Sequence, residues 1–265
     1  MAAAGVGTMC DDVQYEFPDG HDGAAVMERL AQVLDPELDE SIFDLGFVRT
    51  LRLRAGHVNV ALQLPTSWCA VNFAYMMADD VRRALLDVEG VRQVTVSLGD
   101  HCAADEIEAA VNEGLPFAEA FHGEGAGSLE ALRLSFQRKG FLGRQERLLR
   151  ELREGGCSLE AICALRLGEV SVQDGRIKIE QSQSGTAQTM QRYLERRAEL
   201  GLDCTPAAPL IVGLDGEQLT AEQLCVHYEA ARTVRVAMEA NGSFCRALLS
   251  LGRLDANIGG EDVQT

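Results

Sequence analysis

The 265-residue chain has no CxxC pair, no GxxxxGK[ST] loop, no GxGxxG after a strand, no GxSxG elbow and no HExxH. P-loop, dinucleotide, serine-hydrolase and zinc-protease chemistries therefore lack the residues they need. Its eight cysteines are scattered rather than evenly and closely spaced, which argues against a disulfide framework and against a zinc finger. The chain opens with neither a positive n-region nor a sustained apolar stretch, and no apolar run is long enough to cross a bilayer. A cytoplasmic protein with free thiols is expected. Basic residues are also scarce, 24 against 41 acidic ones, for a net charge of -17. Such a surface repels phosphate backbones and anionic lipid, so neither nucleic acid nor membrane is an expected partner. There is no internal repeat and no low-complexity tract.

What the chain does have is a hydrophobic fraction of 46% and a charged fraction of 25%, the proportions of an ordinary globular protein. Residues 1–21 lack periodicity and read as a flexible leader. In "DGAAVMERLAQVL" the apolar Ala25, Val26, Leu30, Val33 and Leu34 fall at helical spacing, and Pro36 stops the helix. "DPELDESIFDLGF" follows as a long acidic loop, solvated, with a turn at Asp44-Leu45-Gly46. "FVRTLRLRAGHVNVALQL" alternates on both sides of Ala55-Gly56, as a β-hairpin does. A helix over 69–87 carries Val71, Ala74, Met77, Val81 and Leu85 on one stripe, and "GVRQVTVSL" is a third strand.

The order helix, strand, strand, helix, strand fixes a geometry. The second strand, its helix and the third strand form a crossover unit, so those strands run parallel and end on one sheet edge. That edge collects Thr66, Trp68 and Cys69 after the second strand and Asp100, His101 and Cys102 after the third, and sheets of this kind bind ligands outside such ends. Cys69 opens a helix, where the unpaired N–H groups favour a thiolate and make it a better metal ligand or nucleophile. Cys, His and nearby carboxylates suit iron or zinc. Oxygen donors are on offer from Asp35, Glu37, Asp39, Glu40 and Asp44. Cys225 and His227, two apart on a helix, face different ways and read as structural, and the remaining cysteines read as packing thiols.

Beyond residue 102 the pattern is mostly helical. A bridging helix and linker occupy 103–127, with Ser128 as an N-cap, and a helical region fills 128–265 with a hairpin at Asp174-Gly175 and a short buried strand in "PAAPLIVGLDGEQ". Its basic stretch "QRKGFLGRQERLLR", with Arg138, Lys139, Arg144 and Arg147, is the expected partner-binding element. The fold class is α/β (α+β), a small domain over 22–102 followed by the helical region.

These residues carry a resemblance. Asp35-Pro36-Glu37, Asp44-Leu45-Gly46 followed by Val48, the TxxC of Thr66 and Cys69, and the closing "GVRQVTVSL" resemble the metal-sulfur cluster biosynthesis domain family of SufT-like and PaaD-like proteins, over roughly residues 24–98. The resemblance implies a non-enzymatic factor in iron-sulfur cluster assembly that holds iron or a cluster transiently at Cys69, with Asp35 and Thr66 as neighbours. Ala70 stands where the family usually has Pro, and bulky Trp68 precedes the cysteine. The remainder resembles longer members that accompany bacterial multicomponent di-iron monooxygenases, which implies a maturation factor with a hydroxylase or reductase component as client. Two other readings stay open: a metal-free adaptor that grips an oxygenase subunit by its basic helix, and a thiol enzyme with His101 as base for Cys69. A homodimer sharing one cluster through two copies of Cys69 is expected of a carrier with few ligands.

Overall fold

The computed structural model describes residues 14–17, 23–121, 129–179 and 182–258, so Ser128 and residues 123–127 lie outside it. Among the described residues two compact units separate. One comprises the residues up to Pro36, Glu40–Leu129 and those from Gly242 on, and the other comprises Glu37–Asp39 and Glu130–Asn241.

The first unit runs β1 (Gln14–Glu16), α1 (Gly23–Ala31), β2 (Val48–Arg54), β3 (His57–Gln63), α2 (Val71–Leu86), β4 (Gln93–Gly99), α3 (Ala104–Glu113) and α4 (Phe117–Ala120). The strands form one sheet in the order β1-β2-β3-β4. Ala55 and Gly56, at φ 49° and 77°, make the two-residue turn with both central residues left-handed that matches strand twist. β2 and β3 are antiparallel, and β3 and β4 run parallel, as the crossover requires. Residues 14–16, counted with the leader in the sequence, instead form an edge strand parallel to β2.

Alternation sets the buried face. Leu51 and Leu53, Val58, Val60 and Leu62, and Val94, Val96 and Leu98 are buried on successive strands. The predicted α2 stripe also holds, with Ala74, Met77, Val81 and Leu85 buried. α2 further buries Tyr75, Met76 and Ala78 because it packs against α1 and α3 as well as β4. Its Tyr75 hydroxyl donates to Leu115 O at 2.6 Å.

The outer edge of β4 is covered by side chains of α3. The Asn112 amide both accepts from Val96 N–H and donates to Val96 O, each at 2.9 Å, and Glu108 accepts from Leu98 N–H at 2.7 Å. These bonds satisfy strand groups that would otherwise be open to pairing with another chain.

The second unit contains α5 (Leu129–Glu154), α6 (Leu159–Ala164), a sheet of β5 (Val170–Gln173), β6 (Arg176–Ile179) and β7 (Ser182–Thr186), then α7 (Ala187–Glu199) and, up to Asn241, the first part of α8 (Ala221–Ile258). The predicted hairpin at Asp174-Gly175 is present, at φ 52° and 73°. A third strand, β7, precedes α7, and Thr186 caps that helix by accepting from Thr189 N–H. The core gathers Phe141, Leu148, Leu149, Ile162, Tyr193 and Leu210.

The buried segment predicted as a strand, around Leu210–Val212, makes only isolated bridges, Arg166 with Pro209 and Val212 with Gln218. Side chains satisfy its carbonyls instead. Arg197 donates to Pro209 O and Leu210 O at 2.9 and 3.0 Å, Tyr193 Oη donates to Leu210 O at 2.8 Å, and Gln145 Nε2 donates to Val212 O at 2.9 Å. Burial pushes the Tyr193 phenol pKa up, which keeps it a donor.

His227 Nε2 meets the oxygen of the same Gln145 amide. Burial lowers the imidazole pKa below its ordinary 6.5, with Glu217 opposing. The unfolded chain therefore takes up a proton near pH 6.5 that the folded protein refuses, so stability falls as pH drops through that value. The urea midpoint is expected to decrease between about pH 7.5 and 5.5, and more steeply in the wild type than in His227→Gln. Parallel curves for the two proteins would assign the pH dependence elsewhere.

Candidate functional site

The β3–α2 and β4–α3 connections leave the sheet at the same edge, and backbone bonds tie them together. Cys69 N–H donates to Thr66 O at 3.4 Å, closing the turn, and Cys102 N–H donates to Ser67 O at 2.7 Å. His101 Nε2 lies 2.8 Å from Cys69 O. The juxtaposition expected from topology alone is thus observed for Thr66, Cys69, His101 and Cys102.

Each side chain has a distinct position. Cys69 is half-buried and Cys102 exposed. Cys69 Sγ has the Thr66 hydroxyl at 3.3 Å. Trp68 is 76% exposed, a large apolar surface standing in solvent beside the thiol. Asp100 is exposed and takes a left-handed φ of 56° that reverses the chain after β4. α2 begins at Val71 with Ala70 as N-cap and no side-chain cap, so Cys69 precedes the helix rather than opening it.

His101 is buried at 6% exposure, and both ring nitrogens are engaged by backbone. Nδ1 accepts from Ala103 N–H at 3.2 Å, which leaves the proton on Nε2 to be donated to the Cys69 carbonyl. In this arrangement neither nitrogen is free to take a metal or to act as base on the thiol. Its place is that of a positioning residue, pinning the Cys69 loop to the loop that carries Cys102. Periodicity gives no hint of this, because the bonds are local and aperiodic.

The acidic loop is not the solvated segment its composition suggests. Leu34 bridges Ser41, and Asp35 N–H donates to Glu40 O at 2.8 Å. Asp35 and Asp39 are each 8% exposed. Glu37 is half-buried, and Asp44 is exposed in the predicted turn. Asp39, at φ 55°, belongs to the second unit, where its carboxylate accepts from Arg144 Nε and Nη2 at 2.6 and 3.0 Å and is shared by Arg196. Gly140 permits the approach, since a Cβ there would stand 2.9 Å from Asp39 Cγ.

The basic helix therefore does not present four free cations. Arg144 is buried against Asp39, Arg138 pairs with Asp215 at 2.9 Å, Arg147 with Glu239 at 3.3 Å, and Lys139 lies over Phe136. A surface docking role expected of Arg144 gives way to an internal one. Cys157 and Cys163 pack against the core of the second unit. Burial, then Glu160, raises the Cys163 pKa, so it keeps its proton.

Among the described residues no group of three or more His, Cys, Asp and Glu side chains stands ready to hold a metal ion. The donors at the sheet edge are two thiols, Cys69 and Cys102. Soft sulfur suits iron-sulfur chemistry, and two sulfurs are half of a four-thiolate set.

Residues 23–98 match the family described as iron-sulfur cluster assembly protein. The chain is 33% identical over 92 residues to an iron-sulfur cluster carrier protein of Deinococcus radiodurans, an alignment that covers 35% of this chain and 24% of the relative. Among the described residues no helix is long and apolar enough to cross a membrane.

Proposed function

We propose that the protein is a cytoplasmic assembly factor that binds iron or an iron-sulfur cluster transiently through Cys69 and passes it to a client metalloprotein. The observation that carries this reading is the half-buried Cys69 thiol after β3, within the stretch that matches the iron-sulfur assembly family, on a loop that the backbone Cys102–Ser67 bond ties to the loop carrying a second cysteine. Two sulfurs per chain are too few to close a cluster's ligand set. Two chains, each contributing Cys69 and Cys102, would supply four, which favours a homodimer around a shared cluster. Binding requires both thiols to lose their protons, so loading releases acid and weakens as pH falls.

Incomplete burial suits a carrier, since an incoming client thiolate needs a path to the iron. Trp68 offers that client an apolar anchor of the kind that dominates protein contacts. The client we propose is a component of a multicomponent di-iron monooxygenase, on the resemblance of the C-terminal region to the longer members that accompany such enzymes.

Anaerobic reconstitution with ferrous iron and sulfide tests the reading. The expected product is a coloured protein with sulfur-to-iron charge-transfer absorption, one cluster per two chains and the sedimentation of a dimer. A protein that stays colourless and monomeric would overturn it.

A further inference from the structure

Away from the cysteine loops, the second unit has a small open cleft of about 80 Å³ lined by Arg144 and Arg147 of α5 and by Gln188, Thr189 and Arg192 of α7. Spacings of three and four residues put each helix's contributors on one face, so two helical faces present three guanidiniums to one space. No carboxylate is among the lining residues, in a chain whose net charge is -17.

The donors divide between fold and cleft. Arg144 spends Nε and Nη2 on Asp39 and Nη1 on Arg192 O, at 2.7 Å, and so brings charge rather than a free fork. The Thr189 hydroxyl donates to Glu151 at 2.7 Å, and that carboxylate's other oxygen accepts from Thr186 N–H. Arg147 shares Glu239 with Arg235. Glu195 stands 3.9 Å from Arg144 Nη1 and is half exposed, where solvent screens it. Arg192 has no carboxylate partner among the described residues. Its planar fork, the Gln188 amide and the remaining N–H groups of Arg147 are the donors left to a ligand.

We infer that this cleft binds a small phosphate-bearing ligand, held through the Arg192 fork with Arg147 and Gln188 beside it. Guanidinium forks match the paired oxygens of a phosphate. A nucleic acid is disfavoured by the chain's net charge of -17.

Pyrophosphate titrated calorimetrically into the full chain at low salt tests the inference. Saturable binding to the wild type is expected, weakened roughly tenfold or more in Arg192→Gln, with the same thermal midpoint for both proteins. Arg138→Gln, on the same helix but outside the cleft, should leave the affinity unchanged. Absence of saturable heat, equal affinity in Arg192→Gln, equal weakening in both variants, or tighter binding of citrate than of pyrophosphate would each overturn it.

Discussion

Cys69→Ala, reconstituted anaerobically with iron and sulfide, should stay colourless under conditions that load the wild type. The expected loss is nearly complete because Cys102 alone would leave two thiols in a dimer, half of a four-thiolate set. His101 has both nitrogens committed to backbone, and no group of three metal-binding side chains exists among the described residues to act in its place. The fold should be untouched, since the thiol is half-buried and touches only the Thr66 hydroxyl among its polar contacts. His101 provides the graded comparison. His101→Gln can keep a donor on the Cys69 carbonyl and should load, whereas His101→Ala frees the loop and should yield a cluster that bleaches faster. Visible absorption with iron and sulfide counts reads all three, and a Cys69→Ala protein with the wild-type spectrum and stoichiometry would remove the proposed ligand.

Asp39→Asn should destabilise the second unit by about 3–5 kcal/mol. The substitution keeps the side chain's shape, and Asn tolerates the left-handed backbone that Asp39 adopts at φ 55°, so the cost is one of charge. In its absence Arg144 and Arg196, with side chains 7% and 9% exposed, would face each other across a neutral amide. Arg196 keeps Glu199 at 2.7 Å, and Arg144 keeps the Arg192 carbonyl, which favours the lower end of the range. Urea denaturation of the full chain measures the effect. Because the cysteine loops belong to the other unit, iron loading by the folded variant should match the wild type.

These two residues also mark what the sequence reveals and what it hides. The position of Cys69 beside His101 and Cys102 follows from strand alternation, the turn at Ala55-Gly56 and the parallel crossover, all of which are short-range patterns. Asp39 does not follow from any of them, because its partners lie 105 and 157 residues further along. An acidic loop whose charges are neutralised by distant arginines reads from composition as a solvated one. β7 is hidden for a related reason: "SQSGT" has no apolar alternation, and its register on β6 is irregular. The segment around Leu210 misled in the other direction, since its apolar run resembles a strand while its carbonyls are taken by Arg197, Tyr193 and Gln145 rather than by a neighbouring ladder. Topology brings His101 to the edge, but its bonds to Cys69 O and Ala103 N–H depend on which loop atoms face each ring nitrogen, which no short-range pattern reveals.

The position of Trp68 gives the protein an optical gauge. It is the one tryptophan in the chain, 76% exposed and adjacent to Cys69. Indole emission from this chain therefore comes from a single place, a residue away from the proposed ligand. An iron-sulfur chromophore bound there would absorb that emission by energy transfer, and a client covering the ring would shift it to the blue as water leaves. Loading and docking would thus register as intensity and wavelength in one unlabelled fluorescence trace.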